Sequence, residues 1–167
     1  HKDFLHRMYS TSKTYTSMAI GALIAEGKIA LDDPVYKYFP DKLPEEVHPY
    51  IQACTIRDML MMATTNSGVG YGRKDPDWIK AHFYAKATHM PGTIFQYDTS
   101  ATNVLSALVE RLTGMTFYQY LAPEFEEMGI SPDIFCIERP EGGAWGGSGL
   151  HLTTRDFAKI CLLCQHR

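Results

Sequence analysis

A serine and a lysine, Ser10 and Lys13, lie three positions apart in the stretch MYSTSKTYTSMAIG near the start of the chain. Residues at i and i+3 share one face of a helix, so the two side chains can meet. A serine hydroxyl is a weak nucleophile until a neighbouring base takes its proton, and a lysine can be that base if burial or another cation lowers its pKa. The residues alone leave a second interpretation open, in which Ser10 caps a helix and Lys13 points to water.

Tyr97 is a third group with acid–base chemistry. It ends a short extended segment, IFQY, directly before a helix that Ser100 is expected to cap. At such a junction a phenol can stand at the edge of a cleft and relay a proton beside Lys13. The alternative is a half-buried tyrosine that simply packs on the helix.

Apolar periodicity and helix start signals predict a mostly helical chain with few strands. The first helix is expected from Ser10 to Glu26, with Gly27 able to end it. The strongest apolar stripe, from Val104 to Leu112, predicts a helix that ends at Gly114. Shorter helices are expected to begin at further start signals: Thr55 with Asp58, Asp75 followed by Pro76 and Asp77, Thr116, and Thr153.

Two glycine-rich stretches are expected to be loops that could border a site. They are NSGVGYGR at 66–73 and EGGAWGGSGL at 141–150. In the second stretch, Trp145, Gly146 and Gly147 are candidates for the wall of a cleft, although glycine there equally serves a tight turn.

Composition bounds the class of protein. With 167 residues, of which 45% are hydrophobic and 21% charged, the chain is expected to form one globular domain. The net charge of −3 and the lack of a basic run argue against nucleic acid or an anionic membrane surface as a partner. No apolar run approaches the ~20 residues of a membrane span, and no secretory signal opens the chain, which begins with His1. These features favour a cytoplasmic location and leave the cell envelope open.

The cysteines are too sparse for a disulfide framework; they are Cys54, Cys136, Cys161 and Cys164. Cys161-x-x-Cys164 lies close to His166, but no second ligand pair follows at the spacing of a zinc site. Buried thiols on a helix face are therefore expected, and no metal. Other catalytic signatures, such as the G-x-S-x-G elbow and the P-loop, are absent, while a Ser-His-Asp triad stays open.

Four blocks, in this order, resemble the serine β-lactamase and penicillin-binding-protein superfamily, in particular its class C-like branch of β-lactamases, D,D-peptidases and esterases. The blocks are STSKTYTSMAIGALIAEGKIALDDPVYKYFP, CTIRDMLMMATTNSG, MPGTIFQYDTSATNVLSALVERLTGMTFYQYLAPEFEEMGI and GGAWGGSGLHLTTRDFAKI. The resemblance covers Arg7 to Leu163. It implies the helix-rich part of the family's α/β fold, as one domain over 1–167 that is truncated at both ends and lacks most of the antiparallel sheet.

The resemblance also implies a serine hydrolase that works through an acyl-enzyme. Ser10 and Lys13 match the S-x-x-K motif, as nucleophile and as a base kept neutral by burial. Tyr97 matches the tyrosine of the Tyr-x-Asn motif, as a proton relay, and the backbone N–H of Ser10 is expected to donate to the oxyanion. The residues expected to contact substrate or to form the cleft are Asp98, Thr99, Trp145, Gly146 and Gly147, and no cofactor or metal is implied.

The sequence departs from the family pattern in two places. Thr99 stands where the Tyr-x-Asn motif has asparagine, which favours a broad amide or ester hydrolase over a tuned β-lactam hydrolase. The third motif, Lys/His-x-Gly, is not found after Tyr97, so the activity of this chain by itself stays open. Two alternatives remain: a D,D-peptidase or penicillin-binding protein that β-lactams acylate, and a non-catalytic binding module. The expected partner is a small-molecule or peptide-like amide or ester, and the sequence gives no oligomeric state.

Overall fold

A computed structural model describes residues 2–66 and 74–165. The elements in chain order are β1 (His6–Arg7), α1 (Ser12–Ala25), α2 (Pro49–Ala53), α3 (Ile56–Leu60), α4 (Trp78–Tyr84), α5 (Thr99–Thr113), α6 (Phe117–Tyr120), α7 (Ala122–Glu127), β2 (Phe135–Cys136), β3 (Leu150–Leu152) and α8 (Thr154–Gln165), with 3₁₀ turns at Tyr9–Thr11, Val35–Tyr38 and Pro40–Lys42. The prediction of a mainly helical chain with a small part of the antiparallel sheet is confirmed. The loop predicted at 66–73 lies, apart from Asn66, outside the described residues.

The sheet is small and antiparallel, with the strand order β1-β3-β2. His6 pairs with Leu152 across β1 and β3, and Cys136 pairs with Leu150 across β2 and β3. One more backbone hydrogen bond, 2.8 Å from Met8 N to the Leu150 carbonyl, continues the pairing past the end of β1. The segment that leads into α1 is therefore fixed beside the residues that precede β3.

The core lies between α1 and α5, which pack against each other. Their fully buried side chains include Tyr15, Ala19, Ile20 and Leu23 on α1 and Val104, Leu105, Leu108 and Val109 on α5. The predicted apolar stripe of α5 is buried from Val104 to Val109, and the polar side chains from Ser100 to Ser106 are buried as well. Burying a valine or leucine side chain contributes roughly 1.5–3 kcal/mol by removing it from water, so these contacts hold α5 in place. Gly27 and Gly114 follow α1 and α5 with φ of +70° and +72°, as the predicted helix ends require.

Several predicted helix starts are confirmed by their capping bonds. Thr55 Oγ1 accepts from the Asp58 N–H at 3.2 Å, and an Asp58 carboxylate oxygen accepts from the Thr55 N–H at 2.9 Å. Thr116 forms the same reciprocal pair with Gln119. At α8, Thr153 Oγ1 accepts from the Asp156 N–H at 3.1 Å. These short polar residues satisfy N–H groups that a helix leaves without internal partners.

Two predicted caps are wrong, and an aspartate caps the helix in each case. α4 begins at Trp78 and not near Asp75, because Asp77 accepts from the Lys80 N–H at 2.8 Å. α5 is capped by Asp98 and not by Ser100, since Asp98 Oδ1 accepts from two N–H groups in the first turn. Ser100 instead lies inside the helix as its second residue.

The predicted start of the first helix at Ser10 is also wrong. Ser10 lies in the 3₁₀ turn Tyr9–Thr11, and α1 begins two residues later at Ser12. No side chain caps either the turn or α1. The interpretation of Ser10 as a helix cap therefore fails, and its hydroxyl is not used by the helix.

The cysteines divide into two buried and two exposed thiols, none of them paired, and all four lie in the described part of the chain. The prediction of buried thiols is wrong for Cys161 and Cys164, because α8 buries the side that carries Asp156 and Ile160. His166 lies outside the described residues.

Within residues 2–66 and 74–165, no three His, Cys, Asp or Glu side chains are grouped as metal ligands would be. Over the same residues, no helix is both long enough and apolar enough to cross a membrane.

Candidate active site

The structure brings Ser10 and Lys13 together where the 3₁₀ turn joins α1. Lys13 Nζ lies 3.4 Å from Ser10 Oγ and donates a 2.6 Å hydrogen bond to the carbonyl oxygen of Gly147. Ser10 is exposed, whereas Lys13 is half-buried. A hydroxyl open to solvent therefore stands beside an amine that the turn before β3 holds in place.

The backbone next to Ser10 is in an unusual conformation. Tyr9 has a φ of +47°, a left-handed value that bulky residues rarely adopt. The chain bends here between β1 and α1, and the bend presents Ser10 at the surface. Strained residues of this kind are found preferentially at functional sites, and the strain is offset by surrounding contacts such as the Met8–Leu150 hydrogen bond.

Tyr97 is the third predicted group, and it lies beside the pair. Its ring centroid is 4.9 Å from Lys13 Nζ, and 52% of the residue is exposed. Partial burial acts to raise the pKa of the phenol, but hydrogen bonding with Lys13 and Ser10 and the positive charge of Lys13 outweigh it and lower the pKa below its usual value of 10.0. The phenol of Tyr97 therefore gives up its proton more readily than an ordinary tyrosine does.

Asp98 and Thr99, both predicted to line the cleft, differ in burial and in their contacts. Asp98 is fully buried, and its carboxylate accepts from the Ser100 N–H at 2.8 Å and from Thr64 Oγ1 at 3.0 Å. Contrary to the prediction, the side chain of Asp98 is not part of a cleft surface, because it caps α5. Thr99 is half-buried and stands next to both Tyr97 and Gly147.

The predicted glycine wall packs closely on α1 and α5. Thr16 Oγ1 of α1 donates to the Gly146 carbonyl at 3.1 Å, and the Gly147 N–H donates to Asn103 Oδ1 of α5 at 3.1 Å. A Cβ at Gly147 would lie 2.6 Å from Thr99 Cγ2 and 2.7 Å from Asn103 Oδ1. Glycine is therefore required here for close approach of backbone to side chains, and not for a positive φ.

Trp145 packs between two elements at the outer part of this wall. Its ring meets Trp78 edge-on at 5.1 Å, and the guanidinium of Arg7 lies 4.8 Å from its centroid. Arg7 also stacks on Tyr9 and donates from Nε to the Ser148 carbonyl at 3.1 Å. Arg7 and Lys13 thus bind the consecutive carbonyls of Ser148 and Gly147.

A cavity of about 170 Å³ opens beside Lys13. Its other lining residues are Ser17, Met59, Leu60, Met62, Thr102 and Leu105. Its volume suits a small aliphatic group. A larger cavity of about 570 Å³, next to α6 and α7, is lined by neither Ser10 nor Lys13.

Sequence reasoning missed Asn103, Thr16 and the carbonyl of Gly147. The signal for Asn103 was visible, because an asparagine next to the apolar stripe of α5 is a polar residue at a position expected to be buried. The carbonyl of Gly147 had no such signal, since 134 positions separate it from Lys13.

The fold and the site together define a class of protein. A small antiparallel sheet backed by helices, with a serine and a lysine one turn apart at the start of the central helix, is the arrangement expected of the superfamily that the sequence resembles. The sequence profile of the Beta-lactamase family matches residues 1–163, and the chain belongs to that family.

Two of the similar proteins are named as hydrolytic enzymes. The chain is 26% identical over 176 aligned residues to the 6-aminohexanoate-dimer hydrolase of Paenarthrobacter ureafaciens, covering 95% of this chain and 45% of that protein. It is 30% identical over 162 residues to a beta-lactamase of Escherichia coli K12, covering 89% of this chain and 41% of that protein. The chain therefore spans less than half the length of these relatives.

A solved structure shows the same fold. A putative 6-aminohexanoate-dimer hydrolase from Bacillus anthracis superimposes with a TM-score of 0.74 over 98% of this chain and 48% of that one, at 19% sequence identity. This likeness supports the fold alone.

Proposed function

We propose that the protein is a serine hydrolase that cleaves amides or esters through an acyl-enzyme on Ser10. The observation that carries the proposal is the 3.4 Å approach of Lys13 Nζ to the exposed hydroxyl of Ser10. A serine hydroxyl needs such a neighbour to accept its proton, and among residues 2–66 and 74–165 Lys13 is the amine hydrogen-bonded to it.

The reaction begins when Ser10 Oγ attacks the substrate carbonyl carbon and its proton passes to Lys13 Nζ. The oxyanion that forms is stabilised by the backbone N–H of Ser10. Tyr97 then passes this proton from Lys13 to the leaving nitrogen or oxygen, the bond to the leaving group breaks, and the acyl group stays on Ser10. In the second half, a water gives a proton to Lys13 through Tyr97 and attacks the ester carbonyl carbon. The bond to Ser10 Oγ then breaks, Ser10 takes the proton back from Lys13, and the acid is released.

The lowered pKa of Tyr97 supports its role as the relay. A group exchanges protons most effectively when its pKa is near the working pH, and Lys13 and Ser10 move the pKa of this phenol in that direction.

The substrate class follows from the relatives and from Thr99. The matched relatives are named for a 6-aminohexanoate dimer and for β-lactams, which supports an amide substrate. Thr99 offers a hydroxyl where the family's Tyr-x-Asn motif offers an amide, which supports a broader amide or ester hydrolase. The cavity beside Lys13 would take a small aliphatic part of such a substrate.

The test is intact-protein mass spectrometry after incubation with an activated ester and, separately, with a reactive β-lactam. We expect ester turnover by the wild type that Ser10→Ala abolishes and Lys13→Met slows. A lasting β-lactam adduct on Ser10, with no ester turnover, would show a penicillin-binding protein instead. If neither probe reacts with protein whose circular dichroism shows it folded, the binding-module alternative replaces this proposal.

A further inference from the structure

The peptide between Gly146 and Gly147 is held from both sides. Thr16 of α1 donates to its carbonyl, and Asn103 of α5 accepts from its N–H, each at 3.1 Å. The two helices thus fix the plane of one peptide. The next carbonyl along the chain, that of Gly147, is the one that receives the 2.6 Å hydrogen bond from Lys13.

Asn103 is an unexpected residue for its location. It is fully buried at the centre of α5, and its Nδ2 has no hydrogen-bond partner. A buried polar group without a partner costs free energy, typically about 1–3 kcal/mol. The one hydrogen bond that the described residues give to the side chain of Asn103 is therefore that from the Gly147 N–H to Oδ1.

Thr16 lies on the same face of α1 as Lys13, one helical turn further along. It is fully buried, and its hydroxyl reaches the Gly146 carbonyl while Lys13 reaches the Gly147 carbonyl. Thr16 and Lys13 therefore bind adjacent peptides of one turn. Any rotation of the Gly146–Gly147 peptide would move the acceptor of Lys13 as well.

We propose that Asn103 and Thr16 are positioning residues, which aim the Gly147 carbonyl so that it holds Lys13 Nζ against Ser10 Oγ. The inference rests on the proposed function, because it assigns to these residues the placement of the proposed base. Neither side chain touches the reacting atoms. Their effect passes through one peptide to Lys13, and misplacement of a catalytic group by about 1 Å can lower a rate by about 10²-fold.

The experiment measures the rate constant of Ser10 acylation by p-nitrophenyl acetate, across ester concentrations and across pH. The variants are Asn103→Leu, Thr16→Val and Thr16→Ser. Thr16→Val keeps the shape of the side chain and removes the hydroxyl, and Thr16→Ser restores the hydroxyl. If Asn103→Leu does not fold, the two Thr16 variants decide.

Ser106→Ala is the matched control. Ser106 is also fully buried on α5 and also binds this segment, by a 2.9 Å hydrogen bond to the Ala144 carbonyl. Its side chain packs against Gly146, but the hydrogen bonds of the Gly146–Gly147 peptide go to Thr16 and Asn103. Ser106→Ala therefore measures the loss of a hydrogen bond to this segment other than the two that orient the peptide.

We expect Asn103→Leu and Thr16→Val to lower the acylation rate constant by about 10- to 100-fold, with the half-saturating ester concentration unchanged and the midpoint of the pH–rate profile moved. Thr16→Ser should return close to the wild-type rate, and Ser106→Ala should stay close to it. Equal rates for Thr16→Val and Thr16→Ser, or an equal loss in Ser106→Ala, would overturn the inference while Ser10 acylation in the wild type upholds the proposed function. A wild type that is not acylated at Ser10 overturns the proposed function, and this inference with it.

Discussion

Two polar clusters hold the segment 139–150 against α5 and α1, and they differ in how far their hydrogen-bonding capacity is used. In the Arg139 cluster, the side chain of Arg139 is 4% exposed and pairs with Glu110 at 2.7 Å and with Glu141 at 3.0 Å. It also donates to Ser106 Oγ at 3.1 Å and to the Ala144 carbonyl. Each of the three guanidinium nitrogens therefore donates to at least one acceptor.

The Ser10 cluster, which consists of Ser10, Lys13 and Tyr97, is arranged in the opposite way. Lys13 makes one short hydrogen bond, to Gly147, and a long one of 3.4 Å to Ser10. Ser10 is exposed, and 52% of Tyr97 is accessible to solvent. The exposed hydroxyl groups of Ser10 and Tyr97 can therefore form hydrogen bonds with an incoming molecule.

The two clusters differ in unused hydrogen-bonding capacity and not in neighbouring space. The Arg139 cluster borders a cavity of about 380 Å³, but its charged groups are already paired, and a Cβ at Gly143 would overlap Glu110 and Arg139. The Ser10 cluster adjoins a cavity of about 170 Å³ on the side of Lys13. A saturated buried cluster fixes the frame, and an unsaturated one at the end of that frame can do chemistry.

The largest expected effect is on stability, from a change in the Arg139 cluster, which together with the helices it joins forms the frame of the site. Arg139→Met should lower the free energy of unfolding by about 3–5 kcal/mol, because it leaves the carboxylates of Glu110 and Glu141 poorly solvated and without their cation. Urea denaturation followed by circular dichroism measures the change.

The control for this variant is Arg57→Met. Arg57 pairs with Asp32 at 2.9 Å on the surface, where the two side chains are 49% and 78% exposed. Exposed pairs of this kind contribute little to stability. Equal destabilisation by Arg57→Met and Arg139→Met would show that the Arg139 cluster is not a special part of the frame.

An intermediate effect on stability is expected from substitution of His82. This residue is buried next to Asp98, the cap of α5. Its Nδ1 lies 2.8 Å from Ser100 Oγ, whose hydroxyl donates to Asp98 at 2.6 Å. Burial lowers the pKa of His82 below 6.5, although the charge of Asp98 acts to raise it. The unfolded chain therefore binds a proton at this position more readily than the folded chain.

Stability due to His82 is consequently complete above pH 6.5 and is lost as the pH falls through the lowered folded pKa. Between pH 7 and 5 the slope for one proton is at most about 1.4 kcal/mol per pH unit. His82→Gln should flatten the dependence of unfolding free energy on pH in this window. His6→Gln, at an exposed position on β1, should keep the wild-type slope. A wild-type slope in His82→Gln would contradict the prediction.

The smallest effect on stability is expected in the Ser10 cluster. Tyr97→Phe should change the free energy of unfolding by no more than about 0.5 kcal/mol, because the residue is half exposed. The same variant should lower the rate of Ser10 acylation by about 10²-fold, since it removes the proposed relay. Thermal unfolding and stopped-flow acylation measure the two quantities. A large loss of stability would place Tyr97 in the frame and remove the contrast between the two clusters.

Sequence patterns correctly predicted features that depend on residues close together in the chain. The apolar stripe of α5 and the i, i+3 spacing of Ser10 and Lys13 were both correct, because helical geometry alone relates those residues. The same rules could not choose between Asp98 and Ser100 as the cap of α5, since both residue types favour that position. A buried hydrogen bond from Thr64, distant in sequence, accompanies the choice of Asp98.

The parts that depend on distant contacts were not predictable in this way. Lys13 meets Gly147 only because α1, α5 and β3 pack together, and no spacing in the sequence records that contact. Asp98 shows the converse error, in which a motif position was expected to face substrate and the fold used its carboxylate internally. The order of the motifs chose the proposed site, but the contacts that support its side chains could be read only from the packing.

The division of the cysteines has a practical consequence for labelling. Burial raises the pKa of Cys54 and of Cys136 to about 12, so at neutral pH both remain thiols, which react poorly with maleimides. Cys161 and Cys164 are exposed one turn apart on α8, on the side of the helix that faces solvent. The unmodified chain thus carries exposed thiols on α8 to which fluorophores or spin labels can be attached without altering the core. They are remote in sequence from Ser10, so distances from α8 to a label or ligand at Ser10 can be measured.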